Sequence, residues 1–172
     1  MNTFAWGFDN KCHSKILETL NNSTINIKVW VKQIEKKQPN LCKNIYFYND
    51  LFLKNKFHIH SQAPSSIIKQ LEPDLLEFLL MQARHQVNYC ATEKIISKTP
   101  EEDLNSFYKF IHFFYHLLKT EKIKLVLFAN IFHEGADFIL YKLAKVMKIR
   151  TILCYQSIFP NKFIIIESIE EF

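Results

Sequence analysis

Glycine is nearly absent from this 172-residue chain, which holds two, and arginine is equally scarce, with Arg84 and Arg150 alone among 22 basic residues. So little glycine excludes the phosphate-cradling motifs that depend on it. Gly7-Phe-Asp-Asn-Lys-Cys is not G-x-G-x-x-G, and no P-loop occurs. Long hydrophobic runs are missing too: nowhere do about 18 apolar residues follow one another. The opening Met1-Asn-Thr-Phe-Ala-Trp-Gly has neither the basic stretch nor the apolar core of a signal peptide, so a cytoplasmic protein is expected. The four cysteines, Cys12, Cys42, Cys90 and Cys154, lie far apart, with no pair at metal-ligand or redox spacing, and are expected as free thiols. Blocks of one charge are also lacking. The net charge is +5, but residues 1 to 60 carry 9 basic against 4 acidic groups, 61 to 121 carry 6 against 8, and 122 to 172 carry 7 against 5. Nothing in that distribution tracks a phosphate backbone, so no nucleic-acid partner is expected. The lysine excess accompanies plentiful Ile, Asn and Phe, all favoured by AT-rich codons. What remains is 48% hydrophobic, 15% aromatic and 23% charged, the composition of one globular domain rather than a disordered chain.

The apolar stretch Thr3 to Trp6, the turn Gly7-Phe-Asp-Asn, and Ile16, Leu17 and Leu20 at helical spacing predict strand, tight turn and helix. Asn21-Asn22-Ser23 ends the helix, and Ile25, Ile27, Val29 and Val31 alternate with Asn26, Lys28 and Trp30 as a strand does. Ile45 to Tyr48 is a third strand candidate, and Phe57 to His60 a short extended piece before the loop Ser61-Gln-Ala-Pro-Ser-Ser. Pro73 to about Tyr89 reads as a helix with Leu75, Leu76, Leu79, Ala83 and Val87 on one side. The next helix is the best marked: Thr99-Pro100-Glu101-Glu102 offers a capping hydroxyl, a first-turn proline and a glutamate that reaches back. It should run to about Thr120, with Leu104, Phe107, Phe110, Ile111, Phe114, Leu117 and Leu118 on one arc. Asn105, Tyr108, Lys109, His112, His116 and Lys119 occupy the other.

From Lys124 the pattern becomes strand (Leu125 to Ala129), turn (Asn130 to Gly135), helix (Ala136 to Lys148), strand (Thr151 to Tyr155) and a last stretch, Phe163 to Ile166. In that helix Ala136, Ile139, Leu140, Leu143, Val146 and Met147 share the inner arc. Phe138, Tyr141, Lys142, Lys145 and Lys148 share an outer one, a surface for a membrane or a second domain if not simply solvated. Two βαβ units separated by long helices imply an α/β fold, a Rossmann-like, doubly wound, mostly parallel sheet in a single domain over residues 1 to 172. Glu167-Ser-Ile-Glu-Glu-Phe172 starts a further element and stops, which leads us to expect a chain truncated at its C-terminal end.

Both glycines fall between a predicted strand and a predicted helix, at the carboxyl edge of the sheet, where ligands bind and helix N-termini meet anions. The alternative is that each supplies a positive φ for a turn. His133-Glu134-Gly135-Ala136-Asp137 concentrates an imidazole and two carboxylates at the same edge, a grouping suited to removing a proton from a hydroxyl. It is not H-E-x-x-H, since Asp137 stands where the second histidine would. Alternatively, Glu134 and Asp137 only favour the helix N-terminus electrostatically, with Asp137 too far in to be the cap. Gln156 and Ser157 would project from this edge toward sugar or phosphate, or merely turn the chain toward Pro160. His112 and His116, like His58 and His60, give two ligands without a third, so no metal is expected and a solvated helix face is favoured. Arg84-His85-Gln86 would satisfy the last carbonyls of its helix.

The stretch HEGADFILYKLAKVMKIRTILCYQSIFPNKF, His133 to Phe163, resembles glycosyltransferase-like proteins of bacterial capsule and lipopolysaccharide biosynthesis, and covers 31 of 172 residues. The resemblance implies the N-terminal, acceptor-facing half of a two-domain GT-B-like arrangement. Its implied function is transfer of a sugar from a nucleotide-sugar donor to a glycan or lipid-linked acceptor. His133 or Glu134 would be the general base, and Gly7, Asp9, Asn10, Gly135, Asp137, Gln156 and Ser157 would line the substrate crevice. A second domain or partner chain would complete the enzyme, peripheral contact with the inner face of the membrane would follow, and no cofactor is implied. The rival expectation is a non-catalytic binding or interaction module, or a degenerate remnant, with the same fold.

Overall fold

A computed structural model describes residues 1–32, 41–48, 61–90, 99–156 and 162–169. The expected pieces at Phe57 to His60 and at Ser157 lie outside them. The chain divides into two compact units: the described residues of 1–58, 117–131 and 148–172 form one, and those of 59–116 and 132–147 the other.

The first unit is built on a six-stranded sheet of β1 (Asn2–Trp6), β2 (Asn26–Lys32), β3 (Asn44–Phe47), β4 (Leu125–Phe128), β5 (Arg150–Gln156) and β6 (Phe163–Ile166), in the order β3-β2-β1-β4-β5-β6. Neighbours from β3 to β5 are parallel, and β6 runs antiparallel to β5. The α/β class and the mostly parallel, Rossmann-like sheet are as expected. The order reverses between β1 and β4, the switch point beside which open α/β sheets bind ligands. All four residues of β4 are buried, which is why LVLF shows no polar alternation. The register of β1 on β2 slips between Thr3 and Phe4, whose partners are Ile27 and Val29. Lys28 is therefore the extra residue of a bulge. Ile27 and Trp30 consequently join one core cluster with Ala5, Leu125, Leu127 and, from α1 (Lys11–Asn21), Leu17.

The second unit holds α2 (Ser65–Leu71), a 3-10 turn (Glu72–Asp74), α3 (Leu75–Cys90), most of α4 (Pro100–Thr120) and α5 (Gly135–Val146). Its centre is the buried ring of Phe78, edge-on to Phe107 at 5.3 Å and to Phe110 at 6.0 Å. The expected cap of α4 forms: the Thr99 amide donates to Glu102 Oε2 at 2.7 Å, and the Glu102 amide to Thr99 Oγ1 at 3.2 Å.

Several expectations are corrected. A helix not expected from the sequence, Ser65–Leu71, takes in the last two residues of the Ser61 to Ser66 stretch and is started by Pro64 with no side-chain cap. α3 buries Phe78 and Gln82, whereas Leu76 and Ala83 of the expected inner arc are exposed. The outer face expected on α5 does not exist, because Phe138 and Tyr141 are fully buried and pack on Phe132. A helix apolar on all sides is a central helix, and here only Lys142, Lys145 and the last residue, Val146, reach water. His112 and His116 are not a solvated face either. His112 Nδ1 accepts the Ala63 amide at 3.0 Å, and His116 Nδ1 lies 2.8 Å from the Ser61 hydroxyl, so one helical turn grips the segment leading into α2. Burial lowers the His112 pKa, consistent with a ring that stays neutral while it accepts. No helix among the described residues is long and apolar enough to cross a membrane.

Candidate functional site

The first group of candidate residues forms the turn between β1 and α1. Gly7 has φ +76° and Phe8 φ +65°, so two successive residues are left-handed, the second a bulky side chain that rarely adopts this conformation. Three hydrogen bonds around the turn hold it. The Gly7 amide donates to the Val31 carbonyl at 3.0 Å, the Trp30 indole to the Gly7 carbonyl at 2.7 Å, and the Ala129 amide to the Trp6 carbonyl at 2.9 Å. Asn10 is the N-cap of α1, its Oδ1 accepting the His13 amide at 2.8 Å. Asp9 is half-buried and acts electrostatically on Lys32.

Lys32 belongs to this neighbourhood although the sequence reading passed over it. It ends β2, is only 3% exposed, and holds its ammonium 3.7 Å from the centroid of the Trp30 ring. Burial lowers its pKa, while the charge of Asp9 and, less strongly, the Cys42 thiol oppose that shift. The available signal was a lysine two residues after Trp30, on the same side of a strand whose neighbours are apolar.

The second group surrounds the start of α5. Glu134 is the N-cap residue, with extended backbone, and forms a reciprocal capping box with Asp137. Asp137 Oδ1 accepts the amides of Glu134 at 3.1 Å and Phe138 at 2.8 Å, and Oδ2 accepts that of His133 at 3.2 Å. Burial pushes the Asp137 pKa well up and the adjacent Glu134 carboxylate pushes it further, against the pull of the three amides. Glu134 is 2% exposed and Asp137 is buried with it; of the three ionisable groups only His133, 60% exposed, faces solvent. Its Nε2 stands 3.8 Å from Glu134 Oε1. Chemically, this is an accessible imidazole, placed to exchange a proton with a bound hydroxyl, with a buried carboxylate behind it.

Gly135 has no positive φ. A Cβ there would lie 2.7 Å from the Phe78 ring and from Gln82 Nε2, so the residue is glycine for space. Gly7 is the glycine whose backbone needs the freedom. Gln156 ends β5, its backbone paired with Phe163, and β4 separates it from the strand that carries Gly7. Gly7, Asp9, Asn10 and Gln156 thus belong to the first compact unit, and His133, Glu134, Gly135 and Asp137 to the second.

At the opposite, amino-terminal ends of β2 and β3 lies a cleft of about 460 Å³ lined by Asn26, Lys28, Cys42, Lys43, Asn44 and Glu121, among others. Asn44 Nδ2 donates to Glu121 Oε1 across it at 2.8 Å. Cys12, Cys42 and Cys154 are free thiols. Burial raises the pKa of Cys154 and pushes Cys42 up to about 11, so these two behave as core thiols rather than nucleophiles. Among the described residues no three His, Cys, Asp or Glu side chains are grouped to hold a metal ion.

Comparison with protein-family models, with curated proteins and with solved structures finds no match to the chain.

Proposed function

We propose that the chain is the acceptor-side domain of a glycosyltransferase-like protein of bacterial surface-polysaccharide biosynthesis. It would hold a glycan or lipid-linked acceptor while a sugar is transferred to it from a nucleotide-sugar donor. The resemblance of His133 to Phe163 motivates the reading, and one structural observation carries it. The solvent-facing His133 imidazole, backed by buried Glu134, sits on the chain segment that leaves the carboxyl end of β4, one of the two strands at the switch point. In this role the imidazole takes the proton of an acceptor hydroxyl as that oxygen bonds to the anomeric carbon and the nucleoside diphosphate departs with the bonding pair. Glu134, shielded from substrate, positions the ring from behind. Gly7, Asp9, Asn10, Gln156 and Ser157 would shape the acceptor crevice, and a second domain or partner chain would bring the donor.

A second reading, a non-catalytic binding module of the same fold, is favoured by the use made of Asn10, Glu134 and Asp137. All three serve the caps of α1 and α5. The two readings separate on one experiment. The protein, together with any partner chain that copurifies from its native host, is titrated with glycan acceptors while the His133 imidazole resonances are followed, then supplied with nucleotide sugars and assayed for released nucleoside diphosphate. A transferase shows release that His133→Gln lowers by a factor of about 100 or more with acceptor binding retained. Binding without release from any donor supports the module, and neither binding nor release removes both readings.

A further inference from the structure

Helix α3 is apolar on two opposite faces. One carries Phe78 and Gln82 into the core of its unit. On the other, Leu76 and Leu80 are 69% and 54% exposed, and Ala83 is exposed beside them. These three stand at i, i+4 and i+7, and in the sequence Val87 and Cys90 continue at i+11 and i+14, the alternating spacing of a coiled-coil seam. A lone exposed leucine needs no explanation, but a seam of them marks a contact surface.

We propose that α3 is a self-association surface on which two copies of this chain pair antiparallel, seam against seam. The charges beside the seam select both the occupant and its direction. Glu77 and Arg84 lie on the same flank, each one residue after a seam position and seven residues apart. Both are exposed, and neither makes a hydrogen bond or ion pair among the described residues. Two antiparallel helices related by a twofold between Leu80 and Ala83 set Leu80 against Ala83 of the second copy. That register brings Glu77 opposite Arg84 of the second copy, and the twofold repeats the pair on the other side. A parallel pair would turn Glu77 toward Glu72 and Arg84 toward Leu79 of the second copy, joining no opposite charges. The contact needs no residue of the β1 or β4 edge, so it stands or falls apart from the glycan reading.

Sedimentation equilibrium of the full chain over a dilution series tests it. The expected result is a reversible shift from 20.5 kDa toward twice that mass as concentration rises. Leu80→Glu, at an exposed position, should leave the circular dichroism spectrum unchanged and keep the chain monomeric. Glu77→Arg or Arg84→Glu alone should raise the dissociation constant roughly tenfold, because each turns two exposed attractive pairs into repulsive ones. The combined Glu77→Arg/Arg84→Glu chain should recover the original constant. A monomer at every concentration, a dimer indifferent to Leu80→Glu, or single reversals that change nothing would each overturn the proposal.

Discussion

The two glycines occupy corresponding places in the chain, each in a junction from a strand to a helix, yet their surroundings ask different things of them. At Gly7 the demand is conformational: φ is +76°, the next residue is also left-handed, and Trp30 and Val31 hold the turn by hydrogen bonds. At Gly135 the backbone is ordinary and the demand is for room, since the Phe78 ring occupies the place of a Cβ. The caps differ in the same way. Asn10 accepts an amide at the surface, whereas Glu134 and Asp137 meet in the interior, where burial and the neighbouring Glu134 carboxylate disfavour the charge on Asp137. A glycine after a strand is thus no guide to its own cause. The neighbours decide, and they come from far along the sequence.

Breaking the tighter junction should cost most. Gly135→Ala forces a methyl against a packed aromatic ring and should lower unfolding free energy by about 3 kcal/mol in urea denaturation. If the ring is responsible, much of that loss disappears in a Phe78→Leu background; an equal loss in both would place the cause elsewhere. Gly7→Ala should cost less, about 1–2 kcal/mol, the usual penalty for a left-handed residue with a side chain. Asn tolerates this conformation better, so Gly7→Asn should lose less than Gly7→Ala although it is larger. The reverse ranking would make room beyond the Cβ, rather than the backbone angle, the dominant restraint.

The smallest change at any one pH, within about 1 kcal/mol, is expected for Asp137→Asn, which forfeits one accepted amide and removes a charge. Its signature is the slope. A carboxyl whose pKa is higher in the folded than in the unfolded chain favours folding below its unfolded pKa, and that contribution is lost as pH rises toward the folded value. Unfolding free energies measured from acid to neutral pH should therefore fall with pH more steeply in the parent chain than in Asp137→Asn. A parent slope no steeper than the variant's would show that Asp137 is ionised without penalty.

Much of the fold was legible because its local signals are strong. The cap at Thr99, a strand through Ile27, Val29 and Val31, and the unbroken LVLF of β4 each correspond to a feature of the structure, although the alternation breaks at Lys28 and Trp30 joins the core beside Ile27. What failed was the choice of face. Helical spacing groups Leu75, Leu76 and Leu79, but it does not say which arc faces the core when a helix is apolar on two sides. In α3 Phe78 carried the answer. In α5 the lysines suggested an outside, yet Phe138 and Tyr141 are buried with their aliphatic neighbours. The candidate site was legible as a grouping only: HEGAD was visible, but which carboxylate caps, which ring faces water, and the presence of buried Lys32 beside the first turn depend on contacts between distant segments.

The pairing of β1 with β4 joins Thr3 to Leu125, residues 122 positions apart. When β1, α1 and β2 have left the ribosome, more than half of the chain is still to come, and the inner edge of β1 has no strand to bond. Closing so long a loop is slow, and a hydrophobic strand with open amides and carbonyls pairs readily with whatever strand it meets. Shielding of the nascent half-sheet until Leu125 to Phe128 are made should therefore raise the yield of folded chain.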